Sequence, residues 1–338
     1  DDIEFVAYEV INPELKPGEQ MKFMEDQEVD TVINKSVSTI SNEVLSNVLL
    51  DWRESYKYEI DGIICTDDQI YSRESGNPSH SFAFKMVLLD QIAEAKVINV
   101  LWSPSKDGYL KPRIQIEPIT LGGVKIEYAT AFNAAFVEDN KLGVGAMIKL
   151  IRSGDVIPYI QEVIQPATYP KMPSEPYIWN ATHVDIMLEN PEENEIVRQK
   201  KIISFMSKLD VDGVGSGNVK KIMNAGYDTV PKILAMTLVD FTKVENFKEK
   251  MATKVYNSIH EKISKASLLD IMVATNIFGR GLGERKMEPI LQAYPNIVTS
   301  NESREMKLQQ VISVKGIAGK SATLFVDNIE PFIAFMKE

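Results

Sequence analysis

The residues best suited to chemistry stand between Arg53 and Met86. Glu59-Ile60-Asp61-Gly62 runs into Ile63-Ile64-Cys65, an apolar run of strand length and composition. Two carboxylates beside a glycine at the mouth of a buried strand are costly unless they meet a metal, a cation or a ligand. A second run, Ser81 to Met86, places Lys85 among Phe82, Ala83, Phe84 and Met86. A lone ammonium on an apolar strand calls for an anion opposite it. Two antiparallel strands carrying Asp61 and Lys85 would make one wall of a nucleotide pocket. The plainer alternative is a turn at 59–62 with Lys85 snorkelling to water.

Elements must position these groups. Ser41 precedes a helical apolar pattern, Val44, Leu45, Val48 and Leu49, which leads directly to Arg53. Upstream, 2–10 alternates polar and apolar like a strand, Pro13, Pro17 and Gly18 mark a loop, 21–26 reads as a short helix, and 31–33 as another strand. Downstream, five alternating runs at 96–101, 113–118, 124–130, 147–152 and 156–163 are separated by turns at Asp107-Gly108 and Gly122-Gly123. That spacing suits a small closed barrel such as an OB-fold.

Residues 166–195 are rich in proline, with one Lys against six Asp+Glu over 169–195. They read as an acidic linker. Residues 196–338 are helical, with four turns recurring between amphipathic stretches: 212–217 with Gly213, Gly215 and Gly217; 245–250 with Lys250 and no glycine; 278–283 with Gly279, Gly281 and Gly283; and 315–320 with Gly316, Gly319 and Lys320. A Gly-x-Gly between helices brings backbone N–H groups at a helix N-terminus up to a phosphate, and such contacts read backbone rather than base sequence. Lys220, Lys221 and Lys286 stand close by. The turn without glycine is expected to be structural.

The net charge of the 338 residues is −11, distributed unevenly. Residues 1–195 carry 16 Lys+Arg against 33 Asp+Glu, whereas 196–338 carry 21 against 15. An acidic front and a basic back fit a nucleotide-handling module joined to a DNA-gripping one. A single cysteine, Cys65, excludes a disulfide framework and a cysteine-based zinc site. No stretch has the length of a membrane helix, and a cytoplasmic location is expected, that of the host for a phage or viral protein. The chain opens on Asp1 rather than Met, which suggests an excised or processed part of something longer.

Arg53…Glu59-Ile60-Asp61-Gly62-Ile63-Ile64 and Ala83-Phe84-Lys85 resemble two nucleotidyltransferase motifs of the NAD-dependent DNA ligases. Ile151-Arg152-Ser153-Gly154-Asp155-Val156-Ile157-Pro158 resembles the Arg-Ala-Gly-Asp-Val-Ile-Pro signature of their OB domain, with Glu117-Pro118-Ile119 and Ala129-Thr130…Asn133 as further landmarks. The four turns resemble their helix-hairpin-helix array. The resemblance implies a multidomain α+β chain: 1–90 as the second half of an adenylation (nucleotidyltransferase) domain, 91–165 as the OB-fold, 166–195 as a zinc-finger remnant without cysteines, and 196–338 as an all-α DNA-binding domain.

It further implies a role in sealing nicked duplex DNA during replication or repair. A lysine takes AMP from NAD, AMP passes to the 5′-phosphate, and the 3′-hydroxyl displaces it. Arg53 and Lys85 would bind the AMP phosphates, with Glu59 or Asp61 helping to hold Mg²⁺. Lys106, Arg152 and the hairpins would grip the duplex. No zinc is expected, and no membrane partner. The nucleophile of the family lies in a Lys-x-Asp-Gly motif that this sequence lacks, so a partner chain or upstream fragment would supply it. Other departures are Thr66 for a phosphate-contacting lysine, Asp67 and Asp68 after it, Ser79 for an arginine, and Lys106 for another. The alternative reading is a non-catalytic DNA-binding descendant; a nuclease or repair scaffold would leave the first 165 residues unexplained.

Overall fold

The computed structural model describes residues 3–73, 75–86, 91–152 and 157–338. The chain divides into two compact units, one of residues 1–101, 113–131 and 137–171, the other of 102–112, 132–136 and 172–338. It is a multidomain α+β chain in which a five-stranded closed barrel is accompanied by many helices.

In the first unit, α1 (Pro17–Asp26) and α2 (Asn42–Ser55) precede a two-stranded sheet of β1 (Ile63–Thr66) and β2 (Ser81–Phe84). Proline at the first helical position needs no donor for its missing N–H, so Pro17 starts a helix where a loop was expected. The expected strands over 2–10 and 31–33 are a single parallel bridge, Ala7 to Thr31, fixed by Ala7 N–H to the Asp30 carbonyl at 2.8 Å and Val32 N–H to the Ala7 carbonyl at 2.9 Å. Alternation there finds no ladder to join. The Ser41 hydroxyl accepts the Val44 N–H at 3.2 Å and starts α2 as expected. Leu45 and Leu49 of α2 bury against Ile63, with Trp52, Cys65, Phe84 and Met86 around them.

Five further strands form the barrel: β3 (Ile92–Pro104), β4 (Tyr109–Leu121), β5 (Val124–Thr130), β6 (Met147–Ile151) and β7 (Tyr159–Gln165). Their order is β3-β6-β7-β5-β4, closed by pairing of β4 with β3. Neighbours are antiparallel except β5 and β7, where Thr130 lies beside Tyr159 in parallel. Alternate residues turn inward, so Val97, Ile114, Ile148 and Leu150 are fully buried. The helix α3 (Ala134–Asp139) lies between β5 and β6 in sequence.

The second unit holds a short hairpin, β8 (Tyr177–Trp179) and β9 (Ile186–Leu188), within the stretch read from composition as a linker. Its β9 pairs with Tyr109 and Leu110 of β4, and Leu110, Ile186, Leu188 and Val197 bury together. The helices that follow are α4 (Glu195–Lys208), α5 (Ser216–Asn224), α6 (Val230–Leu234), α7 (Leu238–Thr242), α8 (Glu249–Lys265), α9 (Leu268–Thr275), α10 (Glu284–Ala293), α11 (Arg304–Ser313), α12 (Gly319–Asp327) and α13 (Ile329–Lys337). They pack around two successive cores. One runs from Ile202 to Ala274, the other from Met272 to Phe332. Among the described residues, no helix is long and apolar enough to cross a membrane.

Candidate functional site

Strands β1 and β2 pair with Ile63 opposite Phe84 and Thr66 opposite Ser81. That register brings Asp61 and Lys85 together at the end of the ladder, and Lys85 Nζ donates to Asp61 Oδ2 at 2.7 Å. The anion expected opposite Lys85 is therefore Asp61. The pair is half exposed, with side-chain exposures of 44% and 46%. Nor is β1 a buried strand: Ile63 is buried but Ile64 is 71% exposed. Gly62 permits the approach. A Cβ there would stand 2.8 Å from Lys85 Cγ and 2.8 Å from the Phe84 carbonyl oxygen.

A wide cleft of about 2280 Å³ opens in this unit, and Arg53, Glu59, Asp61 and Arg152 all line it. Lys85 is not among the lining residues; it reaches the wall through Asp61. Arg53 occupies the last turn of α2, where a cation also complements the helix dipole. The Arg152 N–H donates to the Gln91 carbonyl at 2.9 Å, and its guanidinium lies beside Gly122. Ser153, Gly154, Asp155 and Val156 of the signature lie outside the described residues.

Thr66 Oγ1 and Ser81 Oγ share a hydrogen bond at 2.9 Å at the far end of the ladder. The two acids after Thr66 are both engaged. Asp68 Oδ1 accepts the Gly18 N–H at 2.8 Å, which gives α1 an N-terminal carboxylate from fifty residues away, and Asp67 accepts the Tyr71 hydroxyl. Burial of the two acids is slight, so they cost little in this setting. Arg73 also lines the cleft, 3.1 Å from Glu9. Sequence reading passed over it because no apolar pattern frames it.

Mg²⁺ takes octahedral oxygen donors, commonly one or two carboxylates completed by water and phosphate. Asp61 is held by Lys85, Glu59 is exposed, and no group of three or more His, Cys, Asp or Glu that could hold a metal ion occurs among the described residues. These residues alone do not fit a metal cage.

Lys106 sits in the β3–β4 turn and donates to Ser204 Oγ of α4 at 3.2 Å. Beside that turn, Asp185 accepts from Lys111 at 3.1 Å and from Arg280 at 3.2 Å. Its side chain is only 11% exposed. Burial pushes this carboxyl up, but the hydrogen bonds and charges of the two cations outweigh burial and hold it below the ordinary carboxylate value. The Arg280 guanidinium also lies 4.5 Å from the Tyr109 ring centroid. Arg280, central in the third turn, is thus committed to the sheet.

The four turns share one backbone. In each, a left-handed residue is followed by a buried apolar residue and then by the extended N-cap of the next helix. The left-handed residues are Gly213, Asn246, Gly281 and Gly316, with φ of +79°, +63°, +96° and +89°. Val214, Phe247, Leu282 and Ile317 are the buried ones. Gly215, Lys248, Gly283 and Ala318 are the N-caps of α5, α8, α10 and α12. The second turn is therefore like the others, with Asn246 standing where glycine is usual; asparagine tolerates this conformation. Gly217 and Gly319 lie inside helices, and Gly279 closes the preceding turn with φ +82°. Lys250 and Lys320 are exposed in the first turns of α8 and α12.

None of these four N-caps contributes a side-chain hydrogen bond. By contrast α4, α6, α7, α9 and α11 are each capped by an Asn, Thr or Ser side chain. The open helix ends leave N–H groups and positive dipole for an anion.

Comparison with known proteins bears on the barrel and on the chain as a whole. The family model described as the NAD-dependent DNA ligase OB-fold domain matches residues 94–171. The chain is 38% identical over 341 residues to a DNA ligase of Acanthamoeba polyphaga mimivirus, covering 99% of this chain and 53% of that protein. It is 26% identical over 289 residues to a DNA ligase of Aquifex aeolicus, 80% of this chain and 39% of the relative. For a DNA ligase of Persephonella marina the figures are 26% over 235 residues, 62% and 32%. The chain spans about half the length, or less, of the curated relatives it matches. The barrel is thus matched by the NAD-dependent DNA ligase OB-fold domain, and the chain as a whole is similar to DNA ligases of viral and bacterial origin.

Proposed function

We propose that this chain serves as the carboxy-terminal part of an NAD-dependent DNA ligase that seals nicks in duplex DNA, with the nucleophilic lysine supplied by an upstream fragment or a partner chain. The observation that carries the reading is the coincidence, in one chain, of a cleft that carries Arg53 and Arg152 beside the Asp61–Lys85 pair with four hairpins of one backbone form whose helix N-caps make no side-chain hydrogen bond. Bound NAD would supply the AMP that activates the 5′-phosphate.

Arg53 and Arg152 attract and orient phosphate in the cleft. Lys85, at 2.7 Å from Asp61, exchanges that carboxylate for a phosphate oxygen as substrate enters. Asp61 thereby holds the ammonium in place until then and offsets its charge. Glu59 and Asp61 remain the candidate metal-side carboxylates only once phosphates complete the donor set. Arg53 can also supply what Thr66 lacks. The four open helix ends, with Lys250 and Lys320 beside two of them, bind successive backbone phosphates without reading bases. Residues 166–195 in this scheme are a zinc-free replacement for the family's zinc module, and 196–338 a helix-hairpin-helix domain.

The test is complementation. Mixed with a fragment bearing Lys-x-Asp-Gly, NAD and Mg²⁺, the chain should seal a nicked duplex, and Lys85→Ala should abolish sealing while leaving nick affinity within about twofold. Absence of sealing together with tight nick binding would establish the non-catalytic DNA-binding descendant instead. Equal loss of sealing and affinity in Lys85→Ala would remove the assigned role.

A further inference from the structure

On the wall of the same cleft, Tyr71 lies flat on His80. Their ring centroids are 3.9 Å apart and the planes diverge by 4°. The stack sits just past the last rung of the β1–β2 ladder. There the Asp67 N–H donates to the His80 carbonyl at 3.0 Å, the Gln69 N–H turns back to the Asp67 carbonyl at 2.8 Å, and the Tyr71 hydroxyl donates to the Asp67 carboxylate. Both ends of the tyrosine are thus held, the ring by imidazole and the hydroxyl by carboxylate. Yet Tyr71 remains 45% exposed. An exposed tyrosine pinned in one plane is unusual for a residue with only a packing role, since packing would bury it. Its rotamer freedom is already lost, so a planar ligand that stacks on it meets little further ordering cost. Ile70 and Phe82, 52% and 48% exposed, line the same cleft, as do Arg53, Arg152 and Arg73, the last paired with Glu9 at 3.1 Å, among several carboxylates. Aromatic surface interleaved with guanidinium groups is the chemistry that takes a base and its phosphate together.

We propose that Tyr71, backed by His80, is a stacking platform for a nucleobase. The proposal rests on the reading of this cleft as nucleotide-handling. The base is either the adenine of the adenylate or a base of the nicked DNA, and the two sources are separable.

The experiment uses the full chain with three probes: 2-aminopurine riboside 5′-monophosphate, ribose 5-phosphate, and a nicked duplex carrying 2-aminopurine at the nick. Stacking quenches 2-aminopurine emission, so each titration reads geometry as well as affinity. For an adenine platform, Tyr71→Ala should weaken the free nucleotide roughly tenfold and remove its quenching, with ribose 5-phosphate and duplex unchanged. For a DNA-base platform, the same loss appears with the nicked duplex and not with the free nucleotide. Tyr71→Phe should retain affinity within about twofold in either case, which separates loss of the ring from misfolding, and His80→Ala should fall between. The platform is refuted if Tyr71→Ala leaves both 2-aminopurine probes bound and quenched as before. It is refuted equally if ribose 5-phosphate weakens in parallel, or if the unsubstituted chain quenches neither probe. A failed sealing assay with intact quenching would count against the ligase reading alone.

Discussion

Asp185→Asn gives a quantitative test of the cluster that joins the third hairpin to the β8–β9 sheet extension. Asparagine preserves shape and one acceptor but removes the charge facing Lys111 and Arg280. Removing one partner of a fully buried pair costs about 3–5 kcal/mol, whereas an exposed pair is worth roughly 0–1. Asp185 is 11% exposed while Lys111 and Arg280 are 44% and 52% exposed, which puts this cluster between the two limits. We expect a loss of about 2 kcal/mol at pH 7. At a urea m-value of roughly 2 kcal/mol/M, the midpoint should fall by about 1 M. Trp102 and Trp179 both pack in the cluster around Leu110 and Ile186, so their emission in a Trp52→Phe background follows this region directly. The pH dependence has a definite sign. The folded carboxyl is held below its ordinary value, so its stabilisation is present above about pH 4 and is lost as pH falls through the lower folded value. The gap between the unsubstituted protein and Asp185→Asn should therefore close below pH 4. A cycle with Arg280→Met should show coupling between the two sites. Zero coupling, or a gap that persists unchanged at low pH, would refute the electrostatic account.

Further tests address the ladder and the hairpins. Gly62→Ala should destabilise the first unit by about 1–3 kcal/mol, because the added Cβ would meet the Phe84 carbonyl; urea unfolding followed by Trp52 emission reads it. Asn246→Val should cost about 1–2 kcal/mol from the left-handed backbone, with Asn246→Gly near neutral, both measurable by thermal unfolding. Ala318→Asp should stabilise α12 by roughly 1 kcal/mol through a new cap and yet weaken duplex binding, the opposite signs separating fold from function. Nicked-duplex affinity should fall steeply with salt, and Lys250→Ala should reduce the slope of log K against log salt by about 1.

Much of the site is legible in the residues themselves. The apolar runs 63–65 and 81–86 pair as strands, and their register sets Asp61 against Lys85, but both side chains are half exposed rather than buried, so the alternative of a lysine reaching toward water was partly right. The barrel was also open to reading, because alternation in five short runs is satisfied by burying one face of each, although β3 and β4 extend well beyond the runs read for them. Alternation over 2–10 misled, since Phe5 and Tyr8 stay 73% and 70% exposed and no neighbouring strand buries them. The β8–β9 hairpin was hidden because each strand is three residues long and proline surrounds it; its register comes from the β4 edge, which composition does not reveal. Asn246 was missed for a simpler reason. Glycine is the usual mark of a left-handed residue, and asparagine carries the same conformation with a side chain attached.

The uncapped ends of α5, α8, α10 and α12 also have a thermodynamic consequence. A capping side chain is worth about 1 kcal/mol over alanine and a few tenths over glycine, so with Gly215, Lys248, Gly283 and Ala318 the helical region forgoes roughly 2–3 kcal/mol. An anion that fills those ends restores the missing hydrogen bonds, and its binding free energy becomes folding free energy. The region is therefore at its weakest when alone. Its melting temperature should rise with bound polyanion, and its first helical turns, the least protected against amide exchange in the free chain, should become among the slowest once the ends are occupied.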